Sequence, residues 1–451
     1  MPATGSDQHV NFFVMFCDNL GYGDLGCYGH PVHRTPNVDR MAEEGMRFMD
    51  FYVTSGVCTP SRASLMTGCY AQRIDMHVSD KGHAVLQPVA AKGLNPSEIT
   101  MAALLGQHGY ATACIGKWHL GDQQPFLPTR HGFDYYFGIP YSEDMVQRPD
   151  RDWPPLPLMR GEQVIEAPVD MPTITERYTA EAIDFMRRHA DGPFLLYMPQ
   201  ALPGSVRWPE PGPQFSGRSG NWAYGDSVEE LDWSAGEIIR AVQRLGIEGR
   251  TLVVFLSDNG SPYNHGGSNA PLRGWGYSTW EGGMRVPCVM RWPGTIPAGV
   301  TCSEVCTTMD LMPTFAGLAG TQPPQDRAID GHDILPILRG DGGAASPYRA
   351  FYYYHMEQLH AVRSGRWKLH VPVENRRTFH GEQIEIGDGL LFDLDSDPGE
   401  TTNVYDRHPD VVAELMALAE QARGELGDTG RQGSGFRPAG HYPDPTPRVL
   451  E

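Results

Sequence analysis

The sequence predicts an α/β protein, in which a mostly parallel, doubly wound sheet covered by helices is followed by a smaller C-terminal antiparallel sheet plus helix. Two observations lead to this prediction. Up to about residue 340, short apolar segments alternate with amphipathic ones, which is typical of a parallel sheet covered on both faces. Beyond that point, short apolar segments follow one another closely, as in antiparallel strands. We therefore expect an α/β domain over residues 1–340 and a smaller α+β domain over 341–451.

The elements of the first domain are predicted from apolar spacing and from the residues at their ends. The first strand is expected at residues 11–16, and Thr35 can cap a helix that begins at Pro36. The apolar side of this helix would carry Val38, Met41 and Met46. The other predicted strands cover residues 111–115, 194–197 and 251–256, and the other predicted helices cover roughly 97–108, 175–189 and 226–245.

A Pro- and Gly-rich stretch at 199–220 indicates a long surface loop that shapes the mouth of a cleft. In the second domain, strands are predicted at 351–354, 358–363, 367–371 and 390–394, followed by a helix near 409–424. The tail from residue 427 is rich in Gly, Pro and Arg, and we expect it to be irregular.

Composition excludes several classes of function. The chain of 451 residues carries 55 acidic and 36 basic residues, a net charge of −19, which argues against nucleic acid or an anionic membrane as its main partner. No apolar run approaches the ~18 to 20 residues that span a membrane. The segment Met1–Asp7 lacks the basic and apolar regions of a secretory signal, so we expect a cytoplasmic protein unless a leader has been removed.

The eight cysteines indicate neither a zinc site nor a disulfide scaffold, because they form no CxxC pair. Cys302 and Cys306 could pair. Cys58 stands at the start of a short predicted helix, in which Pro60 fits the first helical position and Gly68 can close the last turn. Unpaired backbone N–H groups and Arg62 would favour an anion there, so we expect a lowered thiol pKa. A buried structural cysteine is the alternative.

Several polar side chains lie just past the ends of predicted strands, where ligands bind in doubly wound sheets. Lys117 and His119 are two residues apart, so on an extended segment they point the same way, which suits a shared anion. Two further pairs, Asp18-Asn19 and Asp258-Asn259, offer oxygen ligands that suit a hard divalent cation such as calcium or magnesium. A single pair of this kind usually makes a turn, but two pairs at two strand ends favour a metal site.

The segment Cys58-Thr59-Pro60-Ser61-Arg62 resembles the formylglycine motif of the arylsulfatase-like sulfatases, a family of the alkaline phosphatase superfamily. Four further blocks follow in the family's order and approximate spacing: Asp18 to Asp24, Gly116 to Gly121, Ser257 to Gly260, and Thr279 to Gly283. The similarity runs from about residue 10 to about residue 410. It implies that a formylglycine-generating enzyme oxidises Cys58 to an aldehyde, and that the first domain is catalytic.

The resemblance also implies roles for individual residues. Lys117 would hold the modified Cys58, His119 would take protons from it, and Arg62 would fix the hydrated aldehyde. Ser142 aligns with a position that touches the sulfate, although a turn serine is an equal alternative. One hydroxyl of the hydrate would attack sulfur and release the alcohol, and the other would lose its proton so that the aldehyde re-forms and sulfate departs.

The implied metal ligands are Asp18, Asn19, Asp258 and Asn259, with calcium the expected ion and magnesium or manganese as alternatives. The metal, Arg62 and Lys117 would stabilise charge on the sulfuryl oxygens. The implied substrate is an anionic small-molecule or glycan ester.

The chain departs from the family pattern at three positions. Asn19 replaces the second residue of an Asp-Asp pair, Gly204 replaces a histidine that assists the leaving oxygen, and Gly276 replaces a lysine that grips the sulfate. Losing a general acid typically costs ~10² to 10⁴ in rate. Because the two glycines open space, we hypothesise a bulkier or differently charged substrate that carries its own acid or uses a replacement side chain. The candidates for that side chain are Arg207, His265, and His355 or His360, and the alternative for each is an ordinary surface residue.

Three functions remain open at this point. The first is a formylglycine-dependent hydrolase of sulfate esters. The second is a hydrolase of phosphate or phosphonate esters, because the same aldehyde and metal could act on phosphorus. The third is a binding protein that keeps the fold but has lost catalysis.

Overall fold

The computed structural model describes residues 9–378 and 386–450. The segment Met1–Asp7, on which the expectation about a secretory signal rests, lies outside them. The strands are β1 (Asn11–Asp18), β2 (Met46–Phe48), β3 (Phe51–Tyr52), β4 (Lys92–Gly93), β5 (Ala111–Ile115), β6 (Tyr135–Gly138), β7 (Leu158–Arg160), β8 (Gln163–Glu166), β9 (Phe194–Pro203), β10 (Thr251–Ser257), β11 (Cys288–Arg291), β12 (Val300–Cys302), β13 (Cys306–Thr307), β14 (Phe351–His355), β15 (Gln358–Ser364), β16 (Trp367–His370), β17 (Leu390–Asp393), β18 (Gly427–Asp428), β19 (Arg431–Gln432) and β20 (Gly440–His441).

The α-helices pack mainly around the larger sheet. They are α1 (Pro36–Glu43), α2 (Cys58–Thr67), α3 (Met101–Gly106), α4 (Ile174–Arg188), α5 (Trp222–Arg244), α6 (Glu281–Met284), α7 (Leu311–Leu318), α8 (Leu335–Arg339) and α9 (Pro409–Glu425).

One large sheet forms the centre of the molecule, with strand order β12-β2-β11-β10-β1-β9-β5-β6-β7-β8. The five central strands, from β10 to β6, are parallel, and antiparallel pairs flank them on both sides. The whole of β1 is buried, because helices cover both faces of the sheet. The mostly parallel α/β prediction is therefore confirmed.

Alternate residues of β1 enter two separate cores. Phe12, Val14 and Phe16 pack on the face covered by α2, α3 and α7. Phe13 and Met15 pack on the other face, with α1, α4 and α5. This alternation follows from the two-residue period of a strand, and it fixes the register of β1 between its neighbours.

The carboxyl ends of the central strands meet at one edge of the sheet. Asp18 is the last residue of β1, and Cys17 beside it pairs with Ser257 at the end of β10. Asp18 also pairs with Pro203 at the end of β9. Since β5 ends at Ile115, the segment that begins at Gly116 emerges at the same edge.

The C-terminal sheet has the order β14-β15-β16-β17, is antiparallel throughout, and packs against α9. These elements match the predicted ones within two residues at each end. The tail is less irregular than expected, because β18 pairs with β19 and β20 pairs with β4.

Three predicted boundaries are wrong. Met46 was expected on α1, but that helix ends at Glu43 and Met46 begins β2. The helix expected over 97–108 is shorter, because Thr100 caps it by accepting a hydrogen bond from the Ala103 amide. Strand β9 runs on to Pro203, so it includes the first residues of the loop predicted at 199–220.

Two expected helix starts also differ in detail. Thr35 precedes α1, but its hydroxyl donates to the Asp39 carboxylate and accepts from the Gly26 amide instead of capping the helix. Helix α2 begins at Cys58, so Pro60 is its third residue instead of its first. The missing N–H of Pro60 still costs no hydrogen bond, because the first four amides of a helix have no partner within it.

All eight cysteines lie in the described part of the chain and are free thiols. The suggested Cys302–Cys306 disulfide is therefore wrong, and these two thiols are hydrogen-bonded neighbours at the facing ends of β12 and β13. Among the described residues, no helix combines the length and apolar character needed to cross a membrane.

Candidate active site

Helix α2 places Cys58 and Arg62 at the carboxyl edge of the large sheet. Val57 before it is extended, and Gly68 after it has a left-handed backbone with φ 67° that ends the helix. All ten residues of α2 are buried, including the Arg62 guanidinium, which has no exposed surface. One helical turn separates the two side chains, so both face the strand ends.

Arg62 joins the ends of three strands. Its Nη2 donates to Asp18 Oδ1 and to Asp258 Oδ2, each at 2.7 Å, and its Nη1 donates to the Lys117 carbonyl at 2.9 Å. Burial opposes ionisation of Asp18, yet Lys117 and Arg62 hold the pKa of that carboxyl well below its usual range. Burial and the adjacent Asp18 carboxylate raise the pKa of Asp258.

The Lys117 ammonium lies at the centre of the cluster. Its Nζ donates to Asp18 Oδ1 at 2.7 Å and to Ser142 Oγ at 2.8 Å, and it is 3.3 Å from Glu143 Oε2. The Cys58 sulfur is 3.7 Å away. Although burial would lower it, the Asp18 carboxylate raises the pKa of Lys117, so this side chain stays cationic.

The expectation of a lowered thiol pKa at Cys58 is wrong. Burial and, to a smaller extent, the carboxylates of Asp18 and Asp258 raise the pKa of Cys58 well above its usual value. Lys117 and Arg62 act in the opposite direction but do not overcome this effect. The prediction rested on the helix terminus and Arg62, and it took account neither of burial nor of the two acidic strand ends that face the thiol. As a thiol, Cys58 is not a poised nucleophile.

His119 points into the same site as Lys117, as their spacing predicts. Its backbone has a φ of 61°, which is rare for a residue other than glycine and is typical of functional sites. Its Nε2 lies 2.9 Å from the Leu86 carbonyl oxygen and must donate to it, so Nδ1 carries the lone pair. Burial, and then Lys117 and Arg62, lower the pKa of His119, so the imidazole is neutral.

The four predicted metal ligands are adjacent in the structure. The Asn19 amide donates to Asp258 Oδ1 at 2.9 Å, and the Asn259 side chain donates to Asn19 Oδ1. Carboxylate oxygens of Asp18 and Asp258 lie within 4.8 Å of each other and of the Cys58 sulfur. Within the described ranges, the buried Asn259 Oδ1 has no hydrogen-bond partner. An unsatisfied amide oxygen beside two carboxylates fits a hard divalent cation.

A cleft of about 490 Å³ opens over Cys58. Its lining includes His119 and Ser142 as predicted, and also Arg207 and His265, two of the four suggested replacement side chains. The other two suggestions are wrong. His355 and His360 are buried in the C-terminal sheet, where their rings stack on each other and His360 contacts Thr279.

Neighbouring atoms fill the spaces next to Gly204 and Gly276. A Cβ at Gly204, whose φ is 85°, would lie 2.5 Å from Glu143 Oε1. A Cβ at Gly276 would lie 2.1 Å from the Gly260 carbonyl oxygen. These glycines therefore do not leave open pockets where the expected histidine and lysine would stand.

Sequence reasoning missed three residues of the site. Glu143 contacts Lys117, accepts from the Ser142 hydroxyl at 2.9 Å, and accepts from the Ser205 amide. Ser205 and Tyr277 line the cleft. Their positions in the sequence could have pointed to them, because each of the three directly follows a residue compared with the family pattern, namely Ser142, Gly204 or Gly276.

A buried cysteine, two carboxylates and two cations meet at the carboxyl edge of a covered parallel sheet, where doubly wound α/β proteins bind their ligands. A family model described as Sulfatase matches residues 10–321, and a model described as N-sulphoglucosamine sulphohydrolase, C-terminal, matches residues 277–424. The chain therefore belongs to the sulfatase family of the alkaline phosphatase superfamily. This membership indicates sulfate ester hydrolysis as its general activity.

Curated relatives and solved structures match along nearly the whole chain. It is 38% identical to arylsulfatase A of Bos taurus, over 91% of this chain and 86% of that protein. It is 37% identical to N-acetylgalactosamine-6-sulfatase of Canis lupus familiaris, over 89% of this chain and 82% of that protein. The structure of a sulfatase from a Pseudoalteromonas species superimposes with a TM-score of 0.79 at 27% identity, over 92% of this chain and 90% of that one.

Proposed function

We propose that this protein hydrolyses sulfate esters with a formylglycine derived from Cys58 and a bound divalent cation. The observation that carries this proposal is the position of Cys58 beneath the cleft, with Lys117 Nζ 3.7 Å from its sulfur and Arg62 one turn along the same helix. The raised thiol pKa also supports it, because an unmodified Cys58 would be a poor nucleophile.

The formylglycine would supply a hydrated aldehyde whose hydroxyl attacks sulfur. The neutral His119 would accept a proton at Nδ1, because its Nε2–H is held by the Leu86 carbonyl. Lys117 would hold both the modified side chain and Ser142, which stands at the wall of the cleft. Two fixed cations, Lys117 and Arg62, would offset negative charge that develops on the ester.

Asp18, Asn19, Asp258 and Asn259 would hold the cation, and calcium suits their oxygen ligands. When bound, it would supply positive charge against the oxygens of the substrate. The two carboxylates already share Arg62, so the positive charge near them is fixed and buried. With the cation bound, these positive charges together would reverse the chain's net charge of −19 locally, which an anionic substrate requires.

A phosphate or phosphonate ester hydrolase is the second candidate, because the same charged groups suit phosphoryl oxygens. Relatives named for sulfated aryl and sugar substrates favour the sulfate ester, as a small molecule or part of a glycan. We propose no main role for nucleic acid or membrane, given the strongly acidic chain.

The test combines mass spectrometry with turnover. Protein produced together with a formylglycine-generating enzyme is digested. The mass of the peptide that contains Cys58 then shows whether the cysteine has been converted to formylglycine. The converted protein is then assayed on 4-nitrophenyl sulfate, phosphate and phosphonate esters, with Cys58→Ala as the inactive control. Sulfate hydrolysis that is lost in the control supports the proposal. Full conversion without sulfate turnover, or faster turnover of a phosphorus ester, contradicts it.

A further inference from the structure

The cleft contains a tyrosine at the point where the expected lysine is absent. Tyr277 follows Gly276 directly and lines the cleft together with Cys58 and His119. Its phenol is close enough to Cys58 that the two groups influence each other electrostatically. Because the Gly260 carbonyl blocks any side chain at Gly276, Tyr277 provides the side chain that this turn directs into the cleft.

The backbone of Tyr277 is held in an unfavourable conformation. Its φ is 73°, in the left-handed region that a bulky aromatic residue rarely adopts. The Tyr277 amide donates to the Gly56 carbonyl at 2.7 Å, and the Gly276 amide donates to Ser261 at 2.8 Å. Strain of this kind persists only where the surroundings enforce it, which is common at functional sites.

A chain of hydrogen bonds orders the phenol. Asn19 Nδ2 donates to Ser205 Oγ at 2.8 Å, so the Ser205 hydroxyl proton is directed elsewhere. Ser205 and Tyr277 line the same cleft, and their hydroxyl groups are hydrogen-bonded neighbours. The Ser205 amide is itself held by Glu143. These contacts fix the wall of the cleft around a phenol whose O–H can donate to a bound ester.

We propose that Tyr277 donates a hydrogen bond to the oxygen of the departing alcohol. This inference rests on the proposed ester hydrolysis. When the ester S–O bond breaks, its electron pair stays on the alcohol oxygen, and a donor there offsets the developing charge. Burial raises the pKa of the phenol, so it stays a protonated donor and the hydrogen bond needs no proton transfer from it. Tyr277 would thus serve the leaving group in place of the side chain lost at Gly204.

The decisive experiment is the dependence of rate on the leaving group. Wild type and Tyr277→Phe are compared on a series of aryl sulfates that runs from 4-nitrophenyl sulfate to phenyl sulfate and a sugar sulfate. We expect Tyr277→Phe to lower kcat/KM on the order of 10² for the poorest leaving groups and only slightly for 4-nitrophenyl sulfate. The plot of log kcat/KM against leaving-group pKa should become steeper.

The control is Tyr263→Phe, because Tyr263 is a second tyrosine of the same cleft but is 62% exposed and packs edge-on against Trp275. This variant should keep the wild-type slope. Conversion of Cys58 and the thermal midpoint are measured for every variant. If Tyr277→Phe does not fold, Ser205→Ala tests the same donor chain and should steepen the slope more weakly.

Three outcomes contradict the role of Tyr277: an unchanged slope, a uniform loss on all esters, or an equal change in Tyr263→Phe. Each of them leaves the proposed function intact as long as the wild type hydrolyses sulfate esters. A converted wild type that hydrolyses none of them overturns the proposed function as well.

Discussion

At the scale of single residues, the buried charges around Lys117 decide what the site can do. Within the described residues, Asp18, Asp258 and Glu143 pair with two cations, Lys117 and Arg62, and all of these groups are buried. Ion pairs in such surroundings gain little net stability, so their placement is better explained by function.

The first prediction concerns Gly276. Replacing it with lysine restores the residue that the family pattern expects, yet the new Cβ would lie 2.1 Å from the Gly260 carbonyl oxygen. We expect Gly276→Lys to lower the thermal midpoint and to reduce sulfate ester hydrolysis instead of improving it. Gly249→Ala is the matched control, since a Cβ there meets nothing within 4 Å. A Gly276→Lys variant with wild-type stability and higher activity would contradict this prediction.

Sequence reasoning located most of the site but not its electrostatics. The residues at strand ends could be predicted, because the carboxyl ends of parallel strands meet at one edge. The raised pKa of Cys58 could not, since it depends first on burial and then on two carboxylates that are 40 and 200 positions away in the chain. The role proposed for Tyr277 was hidden for a similar reason, because its neighbour Ser205 belongs to another strand end.

At the scale of elements, the block Thr279 to Gly283, one of those that carry the family resemblance, connects two sheets. Glu281 begins α6, and its carboxylate accepts from Tyr52 at 2.5 Å, from Tyr353 at 2.8 Å and from Lys368 at 2.9 Å. Tyr353 and Lys368 belong to the C-terminal sheet. Glu400 extends the network, because it accepts from the Glu281 amide at 2.8 Å and contacts Lys368 at 3.0 Å.

The second prediction is that Glu281→Gln destabilises the protein by about 3 kcal/mol, because it removes one of the two buried carboxylates that pair with Lys368. Glu420→Gln is the control: Glu420 also forms an ion pair, but with its side chain 59% exposed, so no measurable loss is expected. Denaturant unfolding of the three proteins measures both effects. Equal stability of wild type and Glu281→Gln would contradict the prediction.

The same pair predicts a pH dependence. Burial opposes the effect, but Lys368 and Arg285 lower the pKa of Glu281 from 4.5 to about 2. Between pH 2 and pH 4.5, Glu281 is protonated in the unfolded chain but ionised in the folded protein. Its contribution to stability is therefore fully present above pH 4.5 and is lost as the pH falls toward 2. The stability difference between wild type and Glu281→Gln should therefore shrink over this interval. A difference that stays constant down to pH 2 would contradict this assignment.

The elements themselves were largely predictable, because apolar periodicity identifies strands and helices locally. Strand β5 was placed at its exact bounds. The length of helix α3 was overestimated because Thr100 caps it late, and Met46 was misplaced because only two residues separate the end of α1 from the start of β2. Short strands at a sheet edge, such as β2, carry too few residues to show a period.

At the scale of the whole molecule, binding of a cation should stabilise the fold. Two buried carboxylates and an unsatisfied amide oxygen meet where several strands end, so an ion bound there adds its binding energy to the folded state only. We expect calcium to raise the thermal midpoint of chelator-treated protein. At a hundredfold excess of calcium over Kd, the free energy of unfolding should increase by about 2.7 kcal/mol.

Asn259→Ala should abolish this stabilisation by calcium, whereas Asn95→Ala should keep it, because Asn95 donates to the Pro438 carbonyl at the surface. Differential scanning calorimetry with and without calcium measures both variants. The same increment in wild type and Asn259→Ala would place the cation elsewhere.

The burial of α2 sets the order of events in biosynthesis. An enzyme that oxidises Cys58 must hold the peptide from Cys58 to Arg62, yet Cys58 is only 3% exposed and Arg62 is fully enclosed. Under the proposed function, oxidation must therefore occur while the segment is still unfolded. Folding and maturation then compete in time, and the fraction of active molecules is fixed during synthesis. Supplying the enzyme later cannot rescue a chain that has already folded.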